Sequence, residues 1–403
     1  MPDRVTAGRD RPRILHVSGD FPDPIEPFKT RVIETLLSLT QSAFEHRVIS
    51  INRTAPSRAE TLSQLLSPGK LAVETQDFAQ GVALAYQAPG QGLRHRTKLE
   101  QLGDWLIEAV KAMPQRPDLI VGHKLTIEGI AVHRAATALD LPYALCLQGG
   151  TDAKILTFRR DLHSTFRNAL HGAQVIFPFA PWTWDCVIEA LGEPAGRRIV
   201  LPCPTDLDMP TAPRVSGEGL ISVFHLKSYR RKNLAGLVKA AKILESRQTR
   251  APITVIGGGD DQDFKACNAL IRERPSIQLA GAMDREQLRA RMRSASGFVL
   301  PSLRESFGLV FIEALFAGLP VIYPQGTAIS GYFDDAPFAI GVDARDPVAL
   351  ANAMGRVMEE EAAMKSALDR WQKSDAARQF QRDSIAHEFE RGLKLAAGFA
   401  TRD

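Results

Sequence analysis

The chain has 403 residues, of which 44% are hydrophobic and 24% charged, and its formal net charge is +4. These values are typical of a globular protein of two or three domains, and the small net charge argues against a dedicated nucleic-acid binder. Four cysteines without CxxC spacing indicate reduced, packed thiols rather than disulfides or a zinc site. The first residues of the sequence are polar, which predicts that there is no secretory signal. No continuous apolar segment is long enough to predict a membrane-spanning helix. We therefore expect a cytoplasmic protein.

Short β-rich runs alternate with helical patterns along the chain, which predicts βαβ units around parallel sheets. In the first half, strands are predicted at 14–17, 47–51, 118–121, 144–147, 174–177 and 198–201, and helices at 28–39, 99–113 and 127–139. The second half has predicted strands at 220–224, 253–256, 277–279, 297–300 and 321–323. Prolines and glycines crowd residues 202–219 between the halves, which predicts an interdomain linker. We therefore predict an α/β protein with two Rossmann-like, doubly wound parallel-sheet domains that face each other across a cleft.

A predicted helix over 307–316 is apolar on all sides, which is typical of a buried helix. It nevertheless contains Glu313, and a buried carboxylate needs a hydrogen-bond partner. Glu305 lies just before the helix, and Gly308 lets a ligand approach the backbone at the helix start, where free N–H groups attract anions. A nucleotide sugar would satisfy both carboxylates, although Glu313 bonded to backbone and Glu305 acting as a cap would also explain the pattern.

The string ESFGLVFIEALFAGLP resembles the E-x7-E motif of the GT4 family of retaining glycosyltransferases, which have the two-Rossmann GT-B fold. The resemblance implies a hexosyltransferase-type enzyme in which Glu305 contacts hydroxyls of the donor sugar and Glu313 contacts the ribose of the nucleotide. Phe307, Gly308 and Leu309 match the residues that follow the first glutamate in the family. The resemblance also implies an acceptor-side domain over 1–210, completed by a C-terminal helix over 380–403, and a donor domain over 211–379.

The basic loop HLKSYRRKN follows the first strand of the second half. Lys227 and Lys232 have the spacing of the Arg and Lys with which the family neutralises the donor diphosphate, although Lys227 replaces the usual Arg. A solvated basic loop would show the same composition. The turn at Gly257 resembles the turn beside the nucleotide in the family, and Ala282 and Met283 lie in the segment that resembles the base-reading backbone.

Departures from the family pattern are concentrated in the first half. The resemblance assigns the acceptor side to His123, Gln148 and Asp152, but Gln148 stands near the place of a family histidine, and a lone His123 is as readily structural. The opening loop lacks the usual Gly-Gly and has prolines and charges around Phe28. We therefore expect this loop to face the acceptor rather than the donor phosphate.

The resemblance implies a retaining reaction between a nucleotide sugar, with UDP favoured over GDP, and a hydroxyl of a glycan or lipid-linked acceptor. We expect a role in cell-surface polysaccharide or glycolipid biosynthesis. Because the basic loop can stabilise the diphosphate, we predict no required metal or other cofactor. Alternatives are a GT-B epimerase or phosphorylase, or a non-catalytic nucleotide-binding scaffold. Basic and apolar residues over 154–172 suggest peripheral contact with an anionic membrane, or else an ordinary amphipathic core helix.

Overall fold

The computed structural model describes residues 11–57, 71–89, 93–272 and 276–399. These residues form two compact units. The first unit comprises Met1–Phe179, Thr183–Leu201 and Ile385–Asp403, apart from the residues outside the described ranges, and the second comprises Ala180–Trp182 and Pro202–Ser384. The predicted boundaries at 210 and 379 both lie inside the second unit. Thr205, which precedes the first of these boundaries, bonds to Glu313 of that unit.

The first unit is built around an eight-stranded sheet with the order β3-β4-β2-β1-β5-β6-β7-β8. All pairs of neighbouring strands are parallel except β3 and β4. Its strands are β1 Arg13–Ser18, β2 Glu45–Thr54, β3 Val73–Phe78, β4 Gly81–Gln87, β5 Leu119–Gly122, β6 Tyr143–Leu147, β7 Val175–Pro178 and β8 Arg197–Arg198. The central strands β5 to β7 are buried throughout, as expected of parallel strands covered on both faces.

The described residues of the first half of the chain contain, in sequence, the helices α1 Val32–Thr40, α2 His95–Ala112, α3 Glu128–Leu139, α4 Gly150–Phe158, α5 His163–His171 and α6 Pro181–Leu191. Apolar residues of α2, α3 and α5 pack in one core cluster with the strands. The region that we considered as one amphipathic helix, 154–172, is instead α4 and α5 separated by a 3-10 turn. Leu162 and Phe166 are buried in the core, whereas Phe158 is exposed.

The second unit is built around a six-stranded parallel sheet with the order β11-β10-β9-β12-β13-β14. Its strands are β9 Leu220–Val223, β10 Ile253–Ile256, β11 Ile277–Leu279, β12 Gly297–Val299, β13 Val321–Pro324 and β14 Ala339–Val342. The helices are α7 Leu234–Ser246, α8 Asp261–Ile271, α9 Arg285–Arg293, α10 Leu309–Phe316, α11 Pro347–Glu359, α12 Glu361–Gln372 and α13 Asp375–Arg378. A last helix, α14 Arg382–Ala397, starts in the second unit and continues into residues of the first.

Each sheet is doubly wound, so the strand order reverses direction at one point. In the first sheet the reversal lies between β1 and β5, and in the second it lies between β9 and β12. Ligands of open α/β sheets bind at such switch points, beyond the carboxyl ends of the strands. None of the helices within the described ranges has the length and apolar character that crossing a membrane requires.

Candidate active site

The switch point of the second sheet carries two of the predicted site residues. The loop after β9 leads through a 3-10 turn at Leu226–Ser228 to Lys232, and the loop after β12 leads to Glu305. Because β9 and β12 are neighbours, these loops leave the sheet side by side. The tertiary structure therefore brings together residues that are 73 positions apart in the sequence.

Lys232 and Glu305 form an ion pair with 2.5 Å between Lys232 Nζ and Glu305 Oε2. Both side chains are largely withdrawn from water, with 13% and 10% of their surfaces exposed. The Ser302 hydroxyl also donates to Oε2, at 3.2 Å. The carboxylate is thus held by a cation and a hydroxyl in a partly desolvated site, where electrostatic interactions are stronger than in water.

Helix α10 starts directly after this pair. Its N-cap is Gly308 with φ +74°, a left-handed conformation that favours glycine, and no side chain caps the helix. A Cβ at Gly308 would lie 2.7 Å from the ring of Phe311 and 3.1 Å from Glu305 Cγ. The preceding Phe307 is buried against Tyr332, while Leu309 is half-buried. The helix start therefore combines a close-packed backbone with uncapped N–H groups, which is the arrangement that binds anions.

Glu313 lies in the middle of α10, where the other side chains are mostly buried. The Thr205 hydroxyl donates to Glu313 Oε1 at 2.6 Å. Burial raises the pKa of Glu313, and the Thr205 hydrogen bond opposes that shift. The segment before β9 thus supplies one donor to this carboxylate, and contact of Glu313 with the ribose of a nucleotide remains a prediction.

The predicted nucleotide loops meet beside the same edge of the sheet. Gly257 follows β10, and a Cβ there would lie 1.8 Å from the carbonyl oxygen of Phe224, so only glycine fits. The Gly257 N–H donates to the Gly281 carbonyl, which brings the turn next to Ala282 and Met283. Ala282 is exposed and Met283 is half-buried. These loops present backbone and small side chains at the ends of β10 and β11.

Lys227 lies apart from the close contact between Lys232 and Glu305. It is exposed on the 3-10 turn, and its backbone N–H donates to His225 Nδ1. The structure therefore separates the two lysines of the basic loop into one buried in an ion pair and one exposed to solvent.

Two further residues support this site and were not singled out as site residues from the sequence. The Trp182 indole belongs to the second unit and donates to the carbonyl oxygens of Ser306 and Ala328 at 3.2 and 2.9 Å. Asp206, next to Thr205, pairs with Arg285 and Arg382. Trp182 anchors the loop before α10 from more than a hundred residues away in sequence, so no local pattern reveals it.

His123 is fully buried at the end of β5 and belongs to a chain of three histidines in the first unit. His16 Nδ1 lies 3.0 Å from His123 Nε2, and His16 Nε2 lies 3.0 Å from His46 Nδ1. Because the Thr40 hydroxyl donates to the Leu36 carbonyl, it must accept from His46 Nε2. His46 Nδ1 then accepts from His16 Nε2, and His16 Nδ1 accepts from His123 Nε2, so His123 Nδ1 is an acceptor. This atom has no hydrogen-bond partner within the described ranges. Burial lowers the pKa of all three imidazoles, so they are neutral.

The other predicted acceptor-side residues differ in exposure. Asp152 is buried in the first turn of α4, and its Oδ1 accepts from the backbone and hydroxyl of Thr126 at 2.9 and 2.7 Å. Gln148 is half-buried just after β6. Phe28 is 97% exposed in the loop after β1. Gln148 and Asp152 thus lie just beyond the carboxyl end of β6. Contact of these two residues and of Phe28 with an acceptor remains a prediction.

Residues 214–375 match the family model described as glycosyl transferases group 1. Over 173 residues the chain is 29% identical to a phosphatidyl-myo-inositol mannosyltransferase of Mycobacterium leprae, a match that covers 41% of this chain and 45% of that protein. The chain thus covers less than half of the length of this curated relative.

Among solved structures, a sucrose-phosphate synthase from Thermosynechococcus elongatus aligns with a TM-score of 0.66 at 18% identity, covering 94% of this chain and 97% of that one. Anabaena Alr3699/HepE in complex with UDP aligns with a TM-score of 0.62 at 13% identity, covering 95% and 100%. At these identities the likeness shows the fold. The predicted GT-B fold is confirmed, and residues 214–375 are similar to the group 1 glycosyl transferases.

Proposed function

We propose that this protein is a retaining, metal-independent hexosyltransferase that moves a sugar from a nucleotide sugar to a hydroxyl of a glycan or lipid-linked acceptor. The observation that carries the proposal is the Lys232–Glu305 ion pair at the β9/β12 switch point, directly beside the uncapped start of α10. A cation, a carboxylate and free backbone N–H groups are the groups that recognise a diphosphate next to a sugar.

In this proposal the second unit holds the donor. The Lys232 ammonium and the start of α10 near Gly308 and Leu309 face the diphosphate. Glu305 accepts hydrogen bonds from sugar hydroxyls, and Glu313 accepts them from the ribose while retaining its bond from Thr205. The turn at Gly257 and the backbone at Ala282 and Met283 approach the base.

The reaction breaks the bond between the anomeric carbon and the phosphate oxygen, and the acceptor oxygen forms its new bond on the same face of the sugar. The acceptor proton passes to the departing diphosphate. Lys232 and the N–H groups of α10 stabilise the negative charge that develops on that diphosphate. Lys227, which is exposed beside the site, supplies a second positive charge. Because these groups do the work that a divalent ion does elsewhere, the proposed reaction needs no metal.

We favour UDP over GDP as the nucleotide, since a solved structure with the same fold was obtained with UDP. The first unit is proposed to bind the acceptor through Phe28, His123, Gln148 and Asp152. The proposed setting is cytoplasmic synthesis of a cell-surface polysaccharide or glycolipid, with peripheral contact to anionic lipid. Phe158, exposed next to Arg159 and Arg160, supports that contact, and flotation with phosphatidylglycerol vesicles tests it.

The central experiment is a thermal-shift screen of UDP-, GDP- and ADP-sugars, followed by incubation of the best donor with the protein in excess EDTA. We expect a shift that Glu305→Gln reduces, and transfer or slow hydrolysis that releases the nucleoside diphosphate. The anomeric configuration of the product, read by NMR, tests retention. Absence of a shift with every nucleotide sugar would contradict the proposal.

The same experiment separates the other readings of the fold. An epimerase would convert the nucleotide sugar to another nucleotide sugar with no acceptor present. A phosphorylase would require inorganic phosphate and release a sugar phosphate. A scaffold would bind a nucleotide sugar without turnover, and Glu305→Gln would then change affinity alone.

A further inference from the structure

The first sheet has a switch point of its own, between β1 and β5. The loop after β1 contains Gly19 and Asp20, and the segment after β5 contains Lys124 and leads to Glu128 at the start of α3. Since these segments leave neighbouring strands at their carboxyl ends, they occupy the position at which an open α/β sheet binds a ligand. Lys124 and Glu128 were not singled out from the sequence.

An ion pair lies at this switch point, as one does in the second unit. Lys124 Nζ is 2.5 Å from Asp20 Oδ2, with 11% and 27% of the side chains exposed. Burial alone would lower the pKa of Lys124, but the nearby carboxylates of Glu128, Asp20 and Asp152 raise it overall. The ammonium is therefore surrounded by carboxylates, and its charge is already compensated within the protein.

Several polar atoms at this edge are buried without a partner. Glu128 is fully buried, and its Oε1 accepts from the Gly19 N–H at 2.6 Å, whereas Oε2 has no partner among the described residues. The same holds for Asp152 Oδ2 and for Gln148 Nε2 at the end of β6, the neighbour of β5. A buried polar atom without a partner costs about 1–3 kcal/mol, so groups of this kind are usually satisfied by a ligand or by water.

The chemistry of these atoms selects the ligand. Burial raises the pKa of Glu128 to about 7 and also raises the pKa of Asp152, so each carboxyl group requires a donor when ionised and can itself donate when protonated. The amide N–H requires an acceptor. Hydroxyl groups provide both, whereas an ammonium group cannot accept and a phosphate dianion cannot donate. A phosphate would also face the carboxylates of Glu128, Asp152 and Asp20, and the nearby Lys124 is already paired with Asp20.

We propose that the β1/β5 switch point binds an unphosphorylated polyol or sugar, whose hydroxyls donate to Glu128 and Asp152 and accept from Gln148. That this ligand is the acceptor of the transferase rests on the proposed function, whereas the site itself does not. Glu128 is then the residue that determines specificity. The substitution Glu128→Gln has the same shape and can keep the Gly19 contact, but it lacks the second acceptor oxygen.

The test is direct binding to the full chain in the absence of any donor, measured by saturation-transfer NMR and calorimetry. The probes are glucose, mannose, N-acetylglucosamine and myo-inositol, each compared with a monophosphate of the same compound. We expect at least one unphosphorylated probe to bind, its monophosphate to bind at least about tenfold more weakly, and Glu128→Gln to weaken binding roughly tenfold. Gln148→Leu, at a half-buried position, provides a second variant if Glu128→Gln does not fold. Glu108→Gln, an exposed carboxylate on α2, is the matched control and should bind like the wild type.

The outcomes distinguish this site from the proposed donor site. If the monophosphates bind as tightly as the parent compounds, if no unphosphorylated probe binds, or if neither Glu128→Gln nor Gln148→Leu weakens binding, the proposal is wrong, while the nucleotide-sugar screen stands on its own. If a polyol binds and no nucleotide sugar does, the proposed transferase function fails and the polyol site remains.

Discussion

The Lys232–Glu305 ion pair allows a sharp test, in which Lys232→Met and Glu305→Gln are made singly and together. The pair is 2.5 Å long, and each partner is about nine-tenths withdrawn from water. Removing one member of a fully buried pair costs about 3–5 kcal/mol because the other charge is left uncompensated. Ser302 still donates to Glu305 when Lys232 is gone, and both groups retain some exposure. We therefore expect a loss of about 2–3 kcal/mol in the free energy of unfolding for Lys232→Met.

The double variant provides the decisive measurement. When both charges are absent no uncompensated group remains, so the loss should not exceed that of Lys232→Met alone, and the coupling energy should be about 1–3 kcal/mol. Urea unfolding at pH 7 supplies the free energies, and Lys239→Met, at an exposed position on α7, should change stability by less than about 0.5 kcal/mol. Additive effects of the two substitutions would refute the reasoning, because they would mean that the contact is absent in solution.

Three other predictions concern single features. Gly308→Ala places a side chain at φ +74° and should destabilise the protein by about 1–2 kcal/mol in urea unfolding. Thr205→Val removes the donor to Glu313 and should cost roughly 1–3 kcal/mol; the cost should be larger at pH 8 than at pH 5, because only the ionised carboxylate needs that donor. Burial lowers the pKa of His46 to about 4 and of His123 to about 3, so the unfolded chain binds their protons first and stability should fall by roughly 1.4 kcal/mol per pH unit per histidine as the pH drops below about 6.5.

The first of these predictions has a matched control, and the other two have outcomes that would contradict them. Gly326→Ala, also at positive φ but with no atom near its Cβ, separates backbone strain from the crowding expected at Gly308. A pH-independent effect of Thr205→Val would contradict the assigned hydrogen bond. His46→Gln should flatten the acid limb of the stability curve, and an unchanged limb would show that other groups cause the acid loss.

Much of the fold can be predicted from the sequence, because the periodicity of apolar residues that marks strands and helices is a property of neighbouring residues. Alternating apolar strands and helices predicted parallel sheets, and most predicted strands differ from the observed ones by one or two residues at their ends. The strands β3, β4 and β14 were not predicted. Strand β3 is polar and largely exposed at a sheet edge, so it has no buried face to show. Helix α1 starts at Val32 rather than 28, because the preceding residues form turns.

The sequence alone determined that α10 is a buried helix with a carboxylate inside it and a glycine at its start, because hydrophobic pattern and backbone preference are properties of neighbouring residues. Only the tertiary structure decided the partners: Thr205 for Glu313, Lys232 for Glu305, and Asp20 for Lys124. Each of these pairs joins segments far apart in sequence. Their contacts depend on which strands become neighbours at the switch points, and strand order is set by packing of the whole sheet rather than by any local pattern.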